Sequence, residues 1–152
     1  MKKNKILVFG ANGLVGKSVV ETLSDSSKVE SVDSSTRKDT DLKNIDEIKN
    51  ILNIKQPDYI INCAAKVGGI YANNTFRAEF LLENLKINLN LFDALKEYPN
   101  INVVNLGSSC IYPLNAPNPI SESSFLEGKL EPTNSPYAIA KITGIELGRE
   151  IN

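Results

Sequence analysis

Histidine is missing from all 152 residues, cysteine occurs only twice, and neither sign of charge is in excess. Cys63 and Cys110 stand 47 positions apart, without the paired spacing of a zinc site or the density of a secreted disulfide scaffold. Both are therefore expected as free thiols in a reducing compartment, the cytoplasm, with no metal site. The 17 basic and 18 acidic residues are interspersed and leave a formal charge of -1, which offers no basic face to nucleic acid or to an anionic membrane. Long apolar runs are absent too. The charged opening Met1-Lys-Lys-Asn-Lys5 resembles the start of a signal peptide, but the apolar run behind it is only Ile6-Leu-Val-Phe9, too short to be a signal or to span a bilayer. What is present is the length of one domain with 41% apolar residues, enough for a single core.

Ile6 to Phe9 reads as a central parallel strand buried on both faces. It leads into Gly10-Ala11-Asn12-Gly13-Leu14-Val15-Gly16, a G-x-x-G-x-x-G turn opening a helix expected to run to about Leu23. In such a turn the first glycine permits the bend and the second lets backbone N–H groups approach a pyrophosphate. The third lets helix and strand pack closely, and the helix N-terminus faces the phosphates. Val29 to Asp33 is a second strand, followed by a polar loop over residues 34–42 where such domains read the adenosine ribose. Here two readings compete. Asp33 would bond a ribose 2′-hydroxyl and select NAD, whereas Arg37 and Lys38 would pair with a 2′-phosphate and select NADP. Asp41 and Leu42 close the loop and join the cofactor candidates.

Asp46 to Ile54 has helical spacing and Tyr59-Ile-Ile61 is a third short strand. Ala64 and Ala65 just beyond it are small enough to let a cofactor approach the strand's carboxyl end. Asn73-Asn-Thr75 is expected to cap one long helix reaching about Tyr98, in which Asn84 interrupts an apolar stripe. That amide is either a satisfied structural bridge or part of a polar site. Ile101 to Leu106 is the fourth strand, and Leu106-Gly107-Ser108-Ser109-Cys110 releases hydroxyls and a thiol at its carboxyl end, beside the cofactor. Residues 111–134 carry four prolines and read as a long ordered loop suited to covering a substrate. Strands and helices in alternation predict an α/β fold, a three-layer Rossmann-like parallel sheet with helices on both faces.

Pro136 fits a first helical position, so Tyr137 and Lys141 are expected one turn apart on one face. An ammonium beside a phenol stabilises the phenolate and is expected to draw its pKa down toward neutrality, the requirement for a proton shuttle.

Together the glycine turn, Ser108 and Tyr137-x-x-x-Lys141 resemble the extended short-chain dehydrogenase/reductase superfamily. Within it, Ala64-Ala65-Lys66-Val67-Gly68-Gly69-Ile70, Leu106 to Pro113 and Leu130 to Ile142 resemble the family of GDP-L-fucose synthases. The resemblance implies an NADPH-dependent 3,5-epimerase/4-reductase acting on a GDP-linked 4-keto-6-deoxy sugar, NADP(H) as cofactor with NAD(H) as the alternative, and a homodimer formed through two helix pairs. It implies that Tyr137 gives and takes the proton, that Lys141 holds the nicotinamide ribose, that Ser108 polarises the keto oxygen and that Cys110 is an acid/base in epimerisation. Asn84 falls where many members carry a structural-catalytic asparagine. Asn12 departs from the pattern, replacing an arginine that some members place near the 2′-phosphate, which leaves Arg37 as the candidate. The family's second acid/base histidine has no counterpart here. The chain therefore reads as a five-stranded N-terminal portion of a longer enzyme, residues 1–152, without the C-terminal substrate domain. Other nucleotide-sugar 4-epimerases or 4,6-dehydratases, and a non-catalytic dinucleotide-binding module, share the same signals.

Overall fold

The β-forming runs pair in parallel, in the order β2-β1-β3-β4, with β1 spanning Asn4–Phe9, β2 Val29–Ser35, β3 Tyr59–Asn62 and β4 Asn102–Asn105. This computed structural model describes residues 3–151, so Met1 and Lys2 of the charged opening and Asn152 lie outside the described residues. Alternation along β1 divides its apolar side chains between two faces. Ile6 and Val8 pack with Ala11 and, from α1 (Leu14–Ser24), Val19, Val20 and Leu23. Leu7 and Phe9 point the other way, into a larger core with Ile48 and Leu52 of α2 (Ile45–Lys55) and Leu91, Phe92, Ala94 and Leu95 of α4 (Arg77–Leu95). The three-layer α/β architecture follows. Among the described residues the sheet has four strands rather than five, because β4 is followed by the proline-bearing loop, which cannot donate a full ladder, and then by α5 (Ser135–Ile151).

Among the boundaries that depart from the sequence pattern, two bear on packing around the site. The long helix expected from Asn73 is two helices, α3 (Ile70–Thr75) and α4, separated at Phe76, whose φ of -104° and ψ of 48° leave the helical region. Asn73 caps neither of them. Its Nδ2 donates to the carbonyls of Gly68 at 2.7 Å and Gly69 at 3.1 Å, binding the preceding loop instead. α2 starts one residue before the expected Asp46 because Asn44 accepts a hydrogen bond from the Asp46 N–H at 3.1 Å, with Asp46 and Glu47 in the first turn and Lys55 in the last.

The loop over 111–134 is ordered by its own bonds, among them Leu114 N–H to the Lys129 carbonyl at 2.8 Å and a short 3₁₀ turn at Glu122–Ser124. Its exit is tied to α4: the Arg77 guanidinium donates to the Pro132 carbonyl at 2.7 Å and to Ser135 Oγ at 3.1 Å. That fixes where α5 begins, and with it the place of Tyr137.

Candidate active site

The glycine turn is dictated by crowding. Gly10 has φ +72°, and a Cβ there would lie 2.7 Å from the Ala64 nitrogen, so β1's exit presses against the segment leaving β3. A Cβ on Gly16 would lie 2.1 Å from the Gly10 carbonyl oxygen, so only glycine lets α1 start this close to the turn. Gly13 is different: its φ of -75° suits any residue, and its added Cβ would meet only the Gly10 oxygen, at 3.3 Å. Gly13 flanks a cleft of about 720 Å³ at the carboxyl ends of β1 and β3. An absent side chain there leaves room for a ligand rather than for the protein.

Gly10, Asn12, Gly13, Leu14, Val15 and Gly16 form one wall of that cleft, and Ala64 and Ala65 form part of its floor. Arg37, Asp41 and Leu42 line the end beneath β2. Ala11 is not in the wall. Its side chain belongs to the core on the α1 side and its N–H donates to the Ser35 carbonyl at 3.1 Å. Asp33, the acid that the NAD reading requires, is outside the lining and bonded to Lys55 Nζ at 2.6 Å; Lys38 is outside it as well. The pattern missed Thr36, Thr40, Lys43, Lys66 and Glu83, which also line the cleft. Lys43 stands one residue beyond the loop as read, and Glu83 is hidden in α4 beside Asn84. The Lys66 ammonium bonds Glu83 Oε1 at 2.5 Å and, with help from Lys43 and Arg37, holds that carboxyl below the usual glutamate range.

A second cluster gathers at the end of β4. Ser108 caps a 3₁₀ turn over Ser109–Ile111, its Oγ accepting from the Cys110 N–H at 3.4 Å and from the Cys110 thiol at 3.1 Å. With both bonds accepted, the Ser108 hydroxyl proton remains available to donate elsewhere. Lys141 is only 5% exposed, and its Nζ donates to the Leu106 carbonyl at 2.8 Å while lying 5.8 Å from the centre of the Tyr137 ring. Burial pulls this ammonium below the ordinary lysine value, with Cys110 and then Cys63 pushing the other way. Tyr137 does not behave as its spacing suggests. Burial, followed by the neighbouring Cys110, raises the phenol, while the Lys141 ammonium donates to the Leu106 carbonyl. Gly107 sits beside this cluster, a Cβ there coming within 3.9 Å of the Ile145 side chain on α5. Leu106, Gly107, Ser108, Tyr137 and Lys141 lie outside the lining of the cleft; Cys63 joins the two places, lining the cleft while feeling the Lys141 charge against a larger upward push from burial.

Of the two readings open for Asn84, the structure has the bridge. It is 1% exposed, its Oδ1 accepts from the Lys66 N–H at 2.9 Å, and its Nδ2 donates to the Lys66 carbonyl at 3.0 Å and the Phe80 carbonyl at 2.7 Å. Three further asparagines build a ladder that the sequence pattern did not single out. Asn62 Nδ2 donates to Asn105 Oδ1 at 2.8 Å, Asn105 Nδ2 to Asn88 Oδ1 at 3.4 Å, and Asn88 Nδ2 to the Ala140 carbonyl at 2.9 Å. The ladder crosses β3, β4, α4 and α5 and ends one residue before Lys141. Gly144 makes room for it, since a Cβ there would come within 2.8 Å of the Asn88 amide. A signal was available: Asn62 and Asn105 are paired in register as the last residues of neighbouring strands, and Asn88 follows Asn84 by one helical turn.

Several known proteins are similar to this chain. The chain is 40% identical over 152 residues to GDP-L-fucose synthase of Escherichia coli, covering 100% of this chain and 47% of that protein. It is equally 40% identical, over 148 residues, to GDP-L-colitose synthase of Yersinia pseudotuberculosis, covering 97% of this chain and 47% of that one. A solved structure of a GDP-L-fucose synthetase from Naegleria fowleri bound to NADP superposes with a TM-score of 0.86 at 31% identity, over 100% of this chain and 46% of that chain. The chain thus spans about half the length of the curated relatives it matches. The sequence model described as the NAD dependent epimerase/dehydratase family matches residues 6–152, and with the glycine turn, the cleft and the Ser108–Cys110 and Tyr137–Lys141 groups in place, the chain belongs to that family.

Proposed function

We infer that this chain is the cofactor-binding and proton-transferring portion of an NADP(H)-dependent epimerase/reductase that converts GDP-4-keto-6-deoxy-D-mannose to GDP-L-fucose. The observation that carries this reading is the gathering of the glycine turn, the Ser108–Cys110 pair and the buried Lys141 at the carboxyl ends of β1, β3 and β4, where ligands bind in open α/β sheets. The residues fit a dinucleotide: a wall of backbone with one side-chain-free position at Gly13, and cations at the opposite end in Arg37 and Lys43. A bound reduced nicotinamide supplies hydride to the 4-keto carbon. The rest is done by the chain's own groups. A raised Tyr137 pKa keeps the phenol protonated at neutral pH, so Tyr137 is a proton donor to the keto oxygen rather than a resting phenolate. Ser108 donates its free O–H to the same oxygen and stabilises the negative charge that gathers there when a neighbouring ring proton leaves. Cys110 moves that ring proton, and Lys141, fixed to the Leu106 carbonyl, positions the nicotinamide ribose.

Leu82 and Leu89 on α4 and Ile139 on α5 are exposed on helices that pack against each other, which supports a homodimer through these two helices. Two free thiols support a cytoplasmic enzyme, and no helix among the described residues is long and apolar enough to cross a membrane. The equal identity to GDP-L-colitose synthase favours a second reading, in which a neighbouring GDP-sugar is the substrate. The test is NMR identification of the product from GDP-4-keto-6-deoxy-D-mannose and NADPH, using the chain within its complete reading frame. GDP-L-fucose is expected. Tyr137→Phe should lose 10²-fold or more of the reduction, on the order of a general acid's contribution, and Cys110→Ser should impair epimerisation more than reduction. Unchanged product formation in both variants would remove the assignment. Residues 1–152 alone are expected to show no turnover, because misplacing the reacting carbon by about 1 Å costs on the order of 10²-fold in rate.

A further inference from the structure

The loop between β2 and α2 is held in one shape. Thr36 N–H and Oγ1 both donate to Asp39 Oδ2, at 2.9 and 2.7 Å. The Asp41 N–H donates to Glu47 Oε2 at 2.7 Å, the Lys43 N–H to Asp41 Oδ1 at 3.1 Å, and Asn90 on α4 holds the Leu42 carbonyl at 3.1 Å. On this frame two cations converge on one atom: Arg37 Nε and Lys43 Nζ each lie 3.9 Å from Asp41 Oδ2. Lys43 is also 3.8 Å from Glu83 Oε2, but Glu83 already takes the Lys66 ammonium at 2.5 Å on its other oxygen. At 3.8–3.9 Å neither Arg37 nor Lys43 makes a hydrogen bond to these acids, so both retain donors for an incoming anion. The Lys43 side chain is nonetheless three-quarters covered, at 25% exposure, so its head is aimed rather than loose. Three cations, Arg37, Lys43 and Lys66, face two acids, Asp41 and Glu83, leaving this end of the cleft net positive before any ligand enters.

Resting on the reading of the cleft as a dinucleotide site, we propose that Lys43 is the second cation of a clamp, with Arg37, that selects NADP over NAD by holding the adenosine 2′-phosphate. That both heads lie 3.9 Å from Asp41 Oδ2 shows they reach a common anionic oxygen, and the phosphate meets their remaining donors from the cleft side. Asp33, which would select NAD by bonding the 2′-hydroxyl, is engaged by Lys55 outside the cleft. Lys43 thus fills the role left vacant at Asn12, from a different element. A phosphate held by two charged donors gains charge-assisted hydrogen bonds that a hydroxyl cannot form with them.

The test is calorimetric titration of the 152-residue chain with two pairs of probes that differ only in the 2′-phosphate: 2′,5′-ADP against 5′-AMP, and NADPH against NADH. Lys43→Met is expected to weaken 2′,5′-ADP and NADPH about tenfold, the order of one charge-assisted bond, and to leave 5′-AMP and NADH within about twofold. Lys43→Arg should restore most of the loss. Retained 5′-AMP binding shows that the variant is folded. Equal weakening of both members of a pair, or an unchanged affinity for 2′,5′-ADP, overturns the clamp while leaving the cleft's function standing. Failure of the unaltered chain to bind any of the four probes overturns the dinucleotide reading and the clamp with it.

Discussion

The two places at the carboxyl edge of the sheet, the cleft beside β1 and the cluster after β4, are built from different materials. Around β1 the shape is set by backbone: a left-handed Gly10, a Gly16 with no space for a Cβ, and an open Gly13. Around β4 the structure is held by side chains that reach across the fold. Lys141 reaches back 35 residues to the Leu106 carbonyl, Asn88 spans 52 residues to the Ala140 carbonyl, and Asn62 spans 43 to Asn105. The difference lies in what each end must do. A pyrophosphate is bound by N–H groups that any sequence supplies once the bend is right, whereas proton transfer needs particular atoms at particular distances. The backbone end should therefore fail abruptly when crowded, and the side-chain end gradually as its bonds are removed.

The largest effect should come from crowding the turn. Gly16→Val places branched carbon against the Gly10 carbonyl, backbone that cannot step aside, and should cost about 3 kcal/mol or more, read as a lowered urea midpoint. Next comes the ladder. Asn88→Leu leaves the buried Ala140 carbonyl and the Asn105 amide short of a partner, at an expected cost of about 1–3 kcal/mol. A double-mutant cycle with Asn105→Leu should show coupling of at least about 0.5 kcal/mol; additivity would mean that the two amides act independently.

The smallest effect concerns Lys141 and is a matter of sign. Its folded pKa lies below the ordinary value of 10.5, so between the two values the unfolded chain binds more protons than the folded one. Stability contributed at this site must then rise with pH across that window. Measured as urea midpoints as pH is raised toward 10.5, the unaltered chain should gain relative to Lys141→Met. A gap that stays constant or moves the other way would mean that burial does not govern this lysine.

The same contrast explains what could be read in advance. A glycine turn after an apolar run is local, so β1, α1 and the turn that walls the cleft were legible from a dozen consecutive residues. The break at Phe76 was not, because nothing in Asn73-Asn-Thr75 announces that Asn73 turns back to bind the Gly68 and Gly69 carbonyls. The spacing of Tyr137 and Lys141 gave their shared helix, but the direction of the Tyr137 shift depends on burial and on the neighbouring Cys110, which spacing does not encode. Asn62, Asn88 and Asn105 looked like ordinary polar residues until the sheet register and the α4–α5 packing brought them together.

The central claim, that the crevice beside the glycine turn is a dinucleotide site, can be measured directly through reduced-nicotinamide emission. Gly13 is the position to alter: its φ of -75° accepts a side chain, so Gly13→Val should fold with a penalty of about 1 kcal/mol while filling the approach to the turn. NADPH fluorescence titrated with the 152-residue chain should change saturably, and the change should vanish in Gly13→Val while its melting temperature falls by only about 2–4 °C. A signal that never saturates with the unaltered chain, or one that persists undiminished in folded Gly13→Val, would place the cofactor somewhere other than this cleft.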